Sequence, residues 1–112
     1  MSDAITTIES LKESVRAFAT ARQWGPYHTL KNLSMALACE AAELMEPFLW
    51  LTGEESQQTI LDPLQREAIA DELADVACLV CQFSIHSGID ISEAIRTKMK
   101  KNAVKYPVPK AE

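Results

Sequence analysis

The sequence predicts an all-α protein of four helices, and three observations carry that prediction. Apolar residues recur at three- and four-residue spacing along four stretches, capping residues and helix breakers fall between those stretches, and nothing alternates with period two for long enough to form a strand. The 112 residues, 47% hydrophobic and 24% charged, suit a single domain over residues 1–112, with 107–112 as a C-terminal tail. That apolar fraction excludes a disordered chain. No apolar run approaches the roughly 20 residues needed to cross a bilayer.

Ile8, Leu11, Val15 and Phe18 define the first helix, over residues 5–22. Trp24-Gly25-Pro26-Tyr27-His28 breaks it. A second helix is predicted over 33–49, with Leu37, Ala41, Leu44 and Phe48 on one face. Pro47 deprives the Glu43 carbonyl of its donor, which favours an early end to that helix. Thr52 to Asp62 reads as a polar loop containing Gly53. Asp62-Pro63 then starts the third helix, because Asp can cap free N–H groups and Pro fits the first turn. This helix runs to about Ser87, where Gly88 supplies a left-handed stop. Asp90 or Ser92 caps a fourth helix that ends before Pro107.

Met1 to Thr7 lacks the basic start and apolar block of a secretory signal, so a cytoplasmic address is expected. Three cysteines make an odd count and, without an export signal, read as buried thiols rather than disulfide partners. Cys78-x-x-Cys81 lies inside a helix with no second pair and no nearby His, so small buried hydrophobes are expected there rather than a zinc or redox site.

The net charge of −5 is unevenly laid out. Residues 33–95 hold twelve acids and one base, Arg66, whereas residues 96–112 hold six bases and one acid, Glu112. An acidic middle opposes any nucleic-acid surface, which needs unopposed basic groups. The layout suits a site holding a metal cation and a polyphosphate together, or, more simply, oppositely charged helices lying side by side.

Two acid pairs carry the chemistry. Glu40 and Glu43 are three residues apart on the second helix, as are Glu72 and Asp75 on the third, so each pair projects from one side of its helix. Both interrupt apolar stretches, where a carboxylate is costly to desolvate. Neither has a Lys or Arg one turn away; Arg66 is six residues from Glu72. If the two helices pack antiparallel, four carboxylates converge and raise one another's pKa values unless a divalent ion sits among them. Oxygen-only ligation favours Mg²⁺ or Mn²⁺ over Zn²⁺. The structural alternative is a set of acids at the core edge paired with bases of the fourth helix or of another subunit.

Glu40-x-x-Glu43 followed by Glu72-x-x-Asp75 resembles the signature of the all-α nucleoside triphosphate pyrophosphohydrolases, a superfamily that includes MazG, the dimeric dUTPases, the phosphoribosyl-ATP pyrophosphohydrolases and the dCTP pyrophosphatases. The similarity covers roughly residues 8–107. Arg22-x-Trp24-x-x-x-His28, Asn32-Leu33, Phe48-x-Trp50 and Lys98-Met-x-x-Asn102-x-x-Lys105-Tyr106-Pro107 are similar to the MazG-like dCTP pyrophosphatase branch.

The resemblance implies Mg²⁺-dependent hydrolysis of a nucleoside triphosphate between its α- and β-phosphates, giving the monophosphate and pyrophosphate. It implies that Glu40, Glu43, Glu72 and Asp75 bind the metal and activate water, with dCTP or related and modified deoxynucleotides as substrates in house-cleaning of the nucleotide pool. Lys98, Asn102 and Lys105 share a helix face and would hold the triphosphate beside Tyr106, with Lys31 near enough for a phosphate contact. Trp24, Trp50 and His28 would surround the base. It also implies a homo-oligomer, a tetramer built as two dimers, with the pocket near a subunit interface; the charge layout and the lack of a long apolar run separately predict no nucleic-acid or membrane partner. Leu79 and Val15 depart from the branch: an aromatic is expected at the first and a polar residue at the second, which weakens strict cytosine specificity and leaves the phosphate chemistry untouched.

Other readings stay open at this point. One is dUTP or phosphoribosyl-ATP hydrolysis on the same fold, and another is a non-catalytic helical interaction module. A ferritin-like di-iron bundle needs Glu-x-x-His pairs, and neither His28 nor His86 has Glu three residues before it.

Overall fold

The computed structural model describes residues 1–110, and among these the regular structure is entirely helical. Its five helices are α1 (Ile8–Ala21), α2 (Leu30–Met45), α3 (Gly53–Thr59), α4 (Pro63–Ser87) and α5 (Ile91–Lys105). The tail from Pro107 to Lys110 has no regular structure, and the last two residues of the predicted domain, Ala111 and Glu112, lie outside the described residues.

Local chemistry explains each start. Thr7 caps α1, its hydroxyl accepting from the Ser10 N–H at 3.1 Å, so the helix begins three residues later than expected. Thr29 caps α2 through the Asn32 N–H at 3.2 Å, three residues ahead of the predicted start. Asp90, rather than Ser92, caps α5, accepting from the Glu93 N–H at 2.9 Å. Asp62 occupies the N-cap of α4 but makes no side-chain capping bond, so Pro63 at the first position carries that start alone.

The helix ends differ more from expectation. α2 stops at Met45, and Pro47 sits in a 3₁₀ turn over Glu46–Phe48, the early end its missing N–H favours. The predicted Thr52–Asp62 loop contains α3 instead. There the Thr52 hydroxyl accepts from the Glu55 N–H at 3.1 Å while the Glu55 carboxylate accepts from the Thr52 N–H at 2.9 Å, a reciprocal capping box. α4 ends on Gly88 at φ 74°, as the sequence predicts. The end of α1 is less ordinary. Gln23 takes φ 57°, and the Gln23 and Trp24 N–H groups donate to Thr20 and Ala19, each at 3.1 Å. This Schellman reversal swings Trp24 back over Phe18, with ring centroids 5.5 Å apart.

The α2–α4 pair is the main contact of the fold, and α1 packs against α4. The pair runs antiparallel: Glu43 meets Glu72 near one end, while Ala36 and Leu79 share a cavity wall further along. Leu33, Ile69, Ala19 and Cys81 form the small buried core. The cysteine expectation holds only there, since Cys39 and Cys78 are exposed, Cys78 because it faces an open cavity.

α5 touches the rest of the chain sparsely and buries none of its residues. The shape follows. The radius of gyration is 17.2 Å and the extents are 54 × 38 × 31 Å, whereas a compact domain of this length has a radius of roughly 13 Å.

Candidate active site

Glu40 and Glu43 stand on the α2 face turned toward α4, and Glu72 answers from α4. One carboxylate oxygen from each of these three lies within 4.8 Å of the others. Asp75, one turn along α4, lies outside that triplet, yet its charge acts on both Glu40 and Glu72. Glu40 and Glu72 are half-buried, and the Oε2 atom of each is shielded from solvent without a hydrogen-bond partner.

The electrostatics record this crowding. The Glu40 carboxyl is pushed up to about 7, first by its hydrogen bond with Glu43, then by burial and by the charges of Glu43 and Asp75. Glu72 is raised as well, mainly by burial and by the Glu43 charge. No base relieves the cluster: among the described residues the ion pairs are Lys12 with Glu9 and Arg16 with Glu13, both within α1. The alternative of acids neutralised by α5 is therefore not realised within one chain.

These donors fit a divalent cation. Two shielded, unpartnered carboxylate oxygens on different helices, with a third carboxylate beside them and only oxygen ligands on offer, are the donor set that a hard metal ion would take. With a cation among them the mutual repulsion becomes coordination.

Beside the acids opens a cavity of about 610 Å³ between α1, α2 and α4. Glu40 and Asp75 stand at its charged side, and Trp24 and His28 also line it. Its remaining wall is largely apolar, with Val15, Phe18, Ala36 and Leu79. His28 stacks edge-on between Trp24 and His86, at centroid distances of 6.3 and 5.5 Å. Burial, then the His86 charge, lowers the His28 pKa.

A family model described as the MazG-like family matches residues 35–112. The chain belongs to the MazG-like family. It is 32% identical over 102 residues to dCTP pyrophosphatase 1 of Bos taurus, a match covering 91% of this chain and 60% of that protein. Against dCTP pyrophosphatase 1 of Homo sapiens it is 33% identical over 101 residues, covering 90% and 59%. The chain thus spans about 60% of the length of these curated relatives. Among solved structures, a pyrophosphatase from Archaeoglobus fulgidus matches with a TM-score of 0.84 at 33% identity, over 90% of this chain and 93% of that one.

Within this MazG-like chain the sequence-derived site residues divide into two groups. Glu40, Glu43, Glu72, Asp75, Trp24 and His28 gather around the acid cluster and its cavity. Lys31, Trp50, Lys98, Asn102, Lys105 and Tyr106 do not line that cavity. Lys31 is exposed on the first turn of α2, and Trp50 is 89% exposed after the 3₁₀ turn. Lys98 lines a separate groove with Ile91 and Ile95 of α5 and Val80 of α4. Asn102 is half-buried, its backbone carbonyl accepting the Tyr106 N–H at 2.7 Å at the end of α5, while the Lys105 ammonium lies 5.3 Å from the Tyr106 ring centre.

Sequence reading missed Phe18 and Gln82 as lining residues. Phe18 reads as core by its periodicity. Gln82 carried a usable signal, since it is the one long polar side chain between Val76 and Ile85.

Proposed function

We propose that this protein is a Mg²⁺-dependent nucleoside triphosphate pyrophosphohydrolase that cleaves between the α- and β-phosphates, releasing a nucleoside monophosphate and pyrophosphate. Its substrates are deoxynucleotides such as dCTP or modified relatives, and its role is clearing them from the nucleotide pool. The observation that carries this reading is the convergence of Glu40, Glu43 and Glu72 with two shielded oxygens left unpartnered. The pyrophosphatase names of the relatives and of the structural neighbour support it.

Glu40, Glu43, Glu72 and Asp75 hold the metal, with Mn²⁺ as the substitute their oxygen donors also suit. Mg²⁺ bound there supplies charge neutralisation on the phosphoryl oxygens and a lower pKa for water. One carboxylate of the set accepts the proton of the attacking water. Trp24 and His28 border the adjoining cavity as walls for the base, where an aromatic face contributes roughly 1–3 kcal/mol per stacked base.

The triphosphate needs cations that the acid cluster lacks. In this reading Lys98, Asn102, Lys105 and Tyr106, together with Lys31 and Trp50, complete the site in a homo-oligomer built as two dimers. Support comes from the open shape and from apolar side chains left in solvent on α5, with Ile95 at 51%, Met99 at 64% and Val104 at 84% exposure. No described helix is long and apolar enough to cross a membrane, and the proposed address is cytoplasmic.

The test is direct. Each common dNTP and NTP is incubated with the protein in Mg²⁺ or in EDTA, and pyrophosphate release is assayed. Release of pyrophosphate with Mg²⁺ alone is expected. A folded protein that cleaves none of them, and whose melting temperature ignores Mg²⁺ with nucleotide, is instead an interaction module.

A further inference from the structure

Gln82 is the misfit of the cavity. It sits on α4, seven residues beyond Asp75, so it lies roughly 10 Å along the helix axis from the acid cluster at 1.5 Å rise per residue. Gln82 is only 5% exposed, yet it lines the cavity beside Val15 and Leu79. Its Nε2 donates to the Val15 carbonyl across the α1–α4 seam at 3.3 Å. That is the amide's single hydrogen bond among the described residues, and it leaves Oε1 and the second Nε2–H unmatched. The free Oε1 is not among the shielded, unpartnered atoms, so it opens to the solvent of the cavity, where a ligand could take the place of water.

The Val15 bond also fixes which way the amide faces. A backbone carbonyl only accepts, so turning the amide over would set Oε1 against another acceptor. The cavity is therefore offered an acceptor, Oε1, next to a donor, the remaining N–H, in a fixed order. The complement is an amino donor next to a ring-nitrogen acceptor. Cytosine presents that edge through its 4-amino group and N3, and adenine through its 6-amino group and N1 or N7. Uracil and thymine present a carbonyl where these bases present the amino group, and guanine does so at O6, keeping an amino group beside N3 only on the edge next to the sugar.

We infer that Gln82 is a specificity-determining residue that reads the amino-substituted edge of the base, selecting cytosine or adenine nucleotides over uracil, thymine and guanine. The inference rests on the nucleotide reading above and adds a residue and a rule to it. Val15 and Leu79, which line the same wall, carry no hydrogen-bonding side chain, so the Gln82 amide is the group there that can read a base edge. A residue that served only to tie α1 to α4 would need no access to the cavity.

The experiment compares wild type with Gln82→Leu and Gln82→Met, which keep bulk and remove the amide. Each is assayed for kcat/KM on dCTP, dATP, dUTP, dTTP and dGTP, with the melting temperature recorded. Wild type is expected to favour dCTP or dATP, the two arms separating a pyrimidine from a purine site. In the variants that preference shrinks roughly 5- to 100-fold, with the oxo-base substrates nearly unchanged. An equal drop on all five substrates with a lowered melting temperature overturns the inference and makes Gln82 a structural tie. A wild type that favours dUTP, dTTP or dGTP overturns it too. Calorimetric binding of dCMP, dAMP, dUMP, dTMP and dGMP separates it from the catalytic reading. Amino-base selectivity in binding that disappears with Gln82 upholds it even if no triphosphate is cleaved, and binding without base preference ends it.

Discussion

The α2–α4 pair and α5 are built from the same ordinary helix chemistry, yet they stop short in opposite ways. Where α2 meets α4 the chain makes its main contact and buries Leu33 and Ile69, but the charge there is left unbalanced, because three carboxylates crowd together without a base. Along α5 the local structure is finished by the Asp90 cap, but the packing is not: Ile95, Met99 and Val104 face solvent beside five of the chain's bases. Each region lacks what another body could provide, a cation for the first and a covering surface for the second. One helix pair is incomplete electrostatically and the other helix sterically, and the two deficits answer to different experiments.

Glu43→Gln attacks the electrostatic side and should have the largest effect. It removes a candidate metal ligand and one source of repulsion together, so turnover should fall on the order of 100-fold or more while the melting temperature holds or rises. Steady-state kinetics beside thermal melts decide it. A collapsed fold would instead make Glu43 a structural acid.

Met99→Asp attacks the steric side. An apolar side chain of this size stabilises a covered interface by roughly 1.5–3 kcal/mol, so a charge in its place should weaken association by on the order of 10- to 100-fold. Sedimentation across a concentration series reads the shift, and activity should decline in step with dissociation if α5 supplies cations to a neighbouring copy. An unchanged sedimentation profile would leave α5 without the neighbour its exposed face requires.

Acidity sharpens the contrast without a mutation. Glu40 carries a folded pKa of about 7 against an ordinary 4.5, and Glu72 moves the same way. The folded state then binds more protons than the unfolded chain across that window, so metal-free stability should be greatest near pH 4.5 and decline as pH rises toward 7. Mg²⁺ binds the deprotonated carboxylates, so adding it should flatten or reverse the slope. Melting curves between pH 5 and 7.5, in EDTA and in Mg²⁺, test both halves; parallel curves would mean that the cluster does not bind the ion.

The same contrast marks how far sequence alone reaches. Helix period, Pro47 and Gly88 made the four long helices legible because those signals are local. Convergence of Glu40, Glu43 and Glu72 was legible because three-residue spacing fixes a face and antiparallel packing turns the two faces together. α3 escaped because Gly53–Thr59 has no apolar stripe, and its one signal was the Thr52-x-x-Glu55 box. Asp62 showed that a capping residue type does not guarantee a capping bond. Phe18 stayed hidden because lining a cavity and filling a core call for the same positions on a helix, whereas Gln82 stood out as a lone long polar residue in an apolar stretch but with no partner legible in the sequence.

The smallest effect belongs to the turn that places Trp24 against the cavity. Gln23 holds φ 57°, a left-handed conformation disfavoured for any residue with a Cβ, at the position where helices usually put glycine. Gln23→Gly relieves that strain but gives the unfolded chain more freedom, so the net gain should be a few tenths of a kcal/mol to about 1 kcal/mol, with Tm raised by a few degrees. The Schellman bonds from Gln23 and Trp24 use backbone N–H groups and survive the change, so Trp24 should stay over Phe18 and KM should not move. A raised KM with raised stability would show that the Gln23 side chain, and not the backbone turn, holds the aromatic wall in place, tying the electrostatic half of the molecule to a contact on its rim.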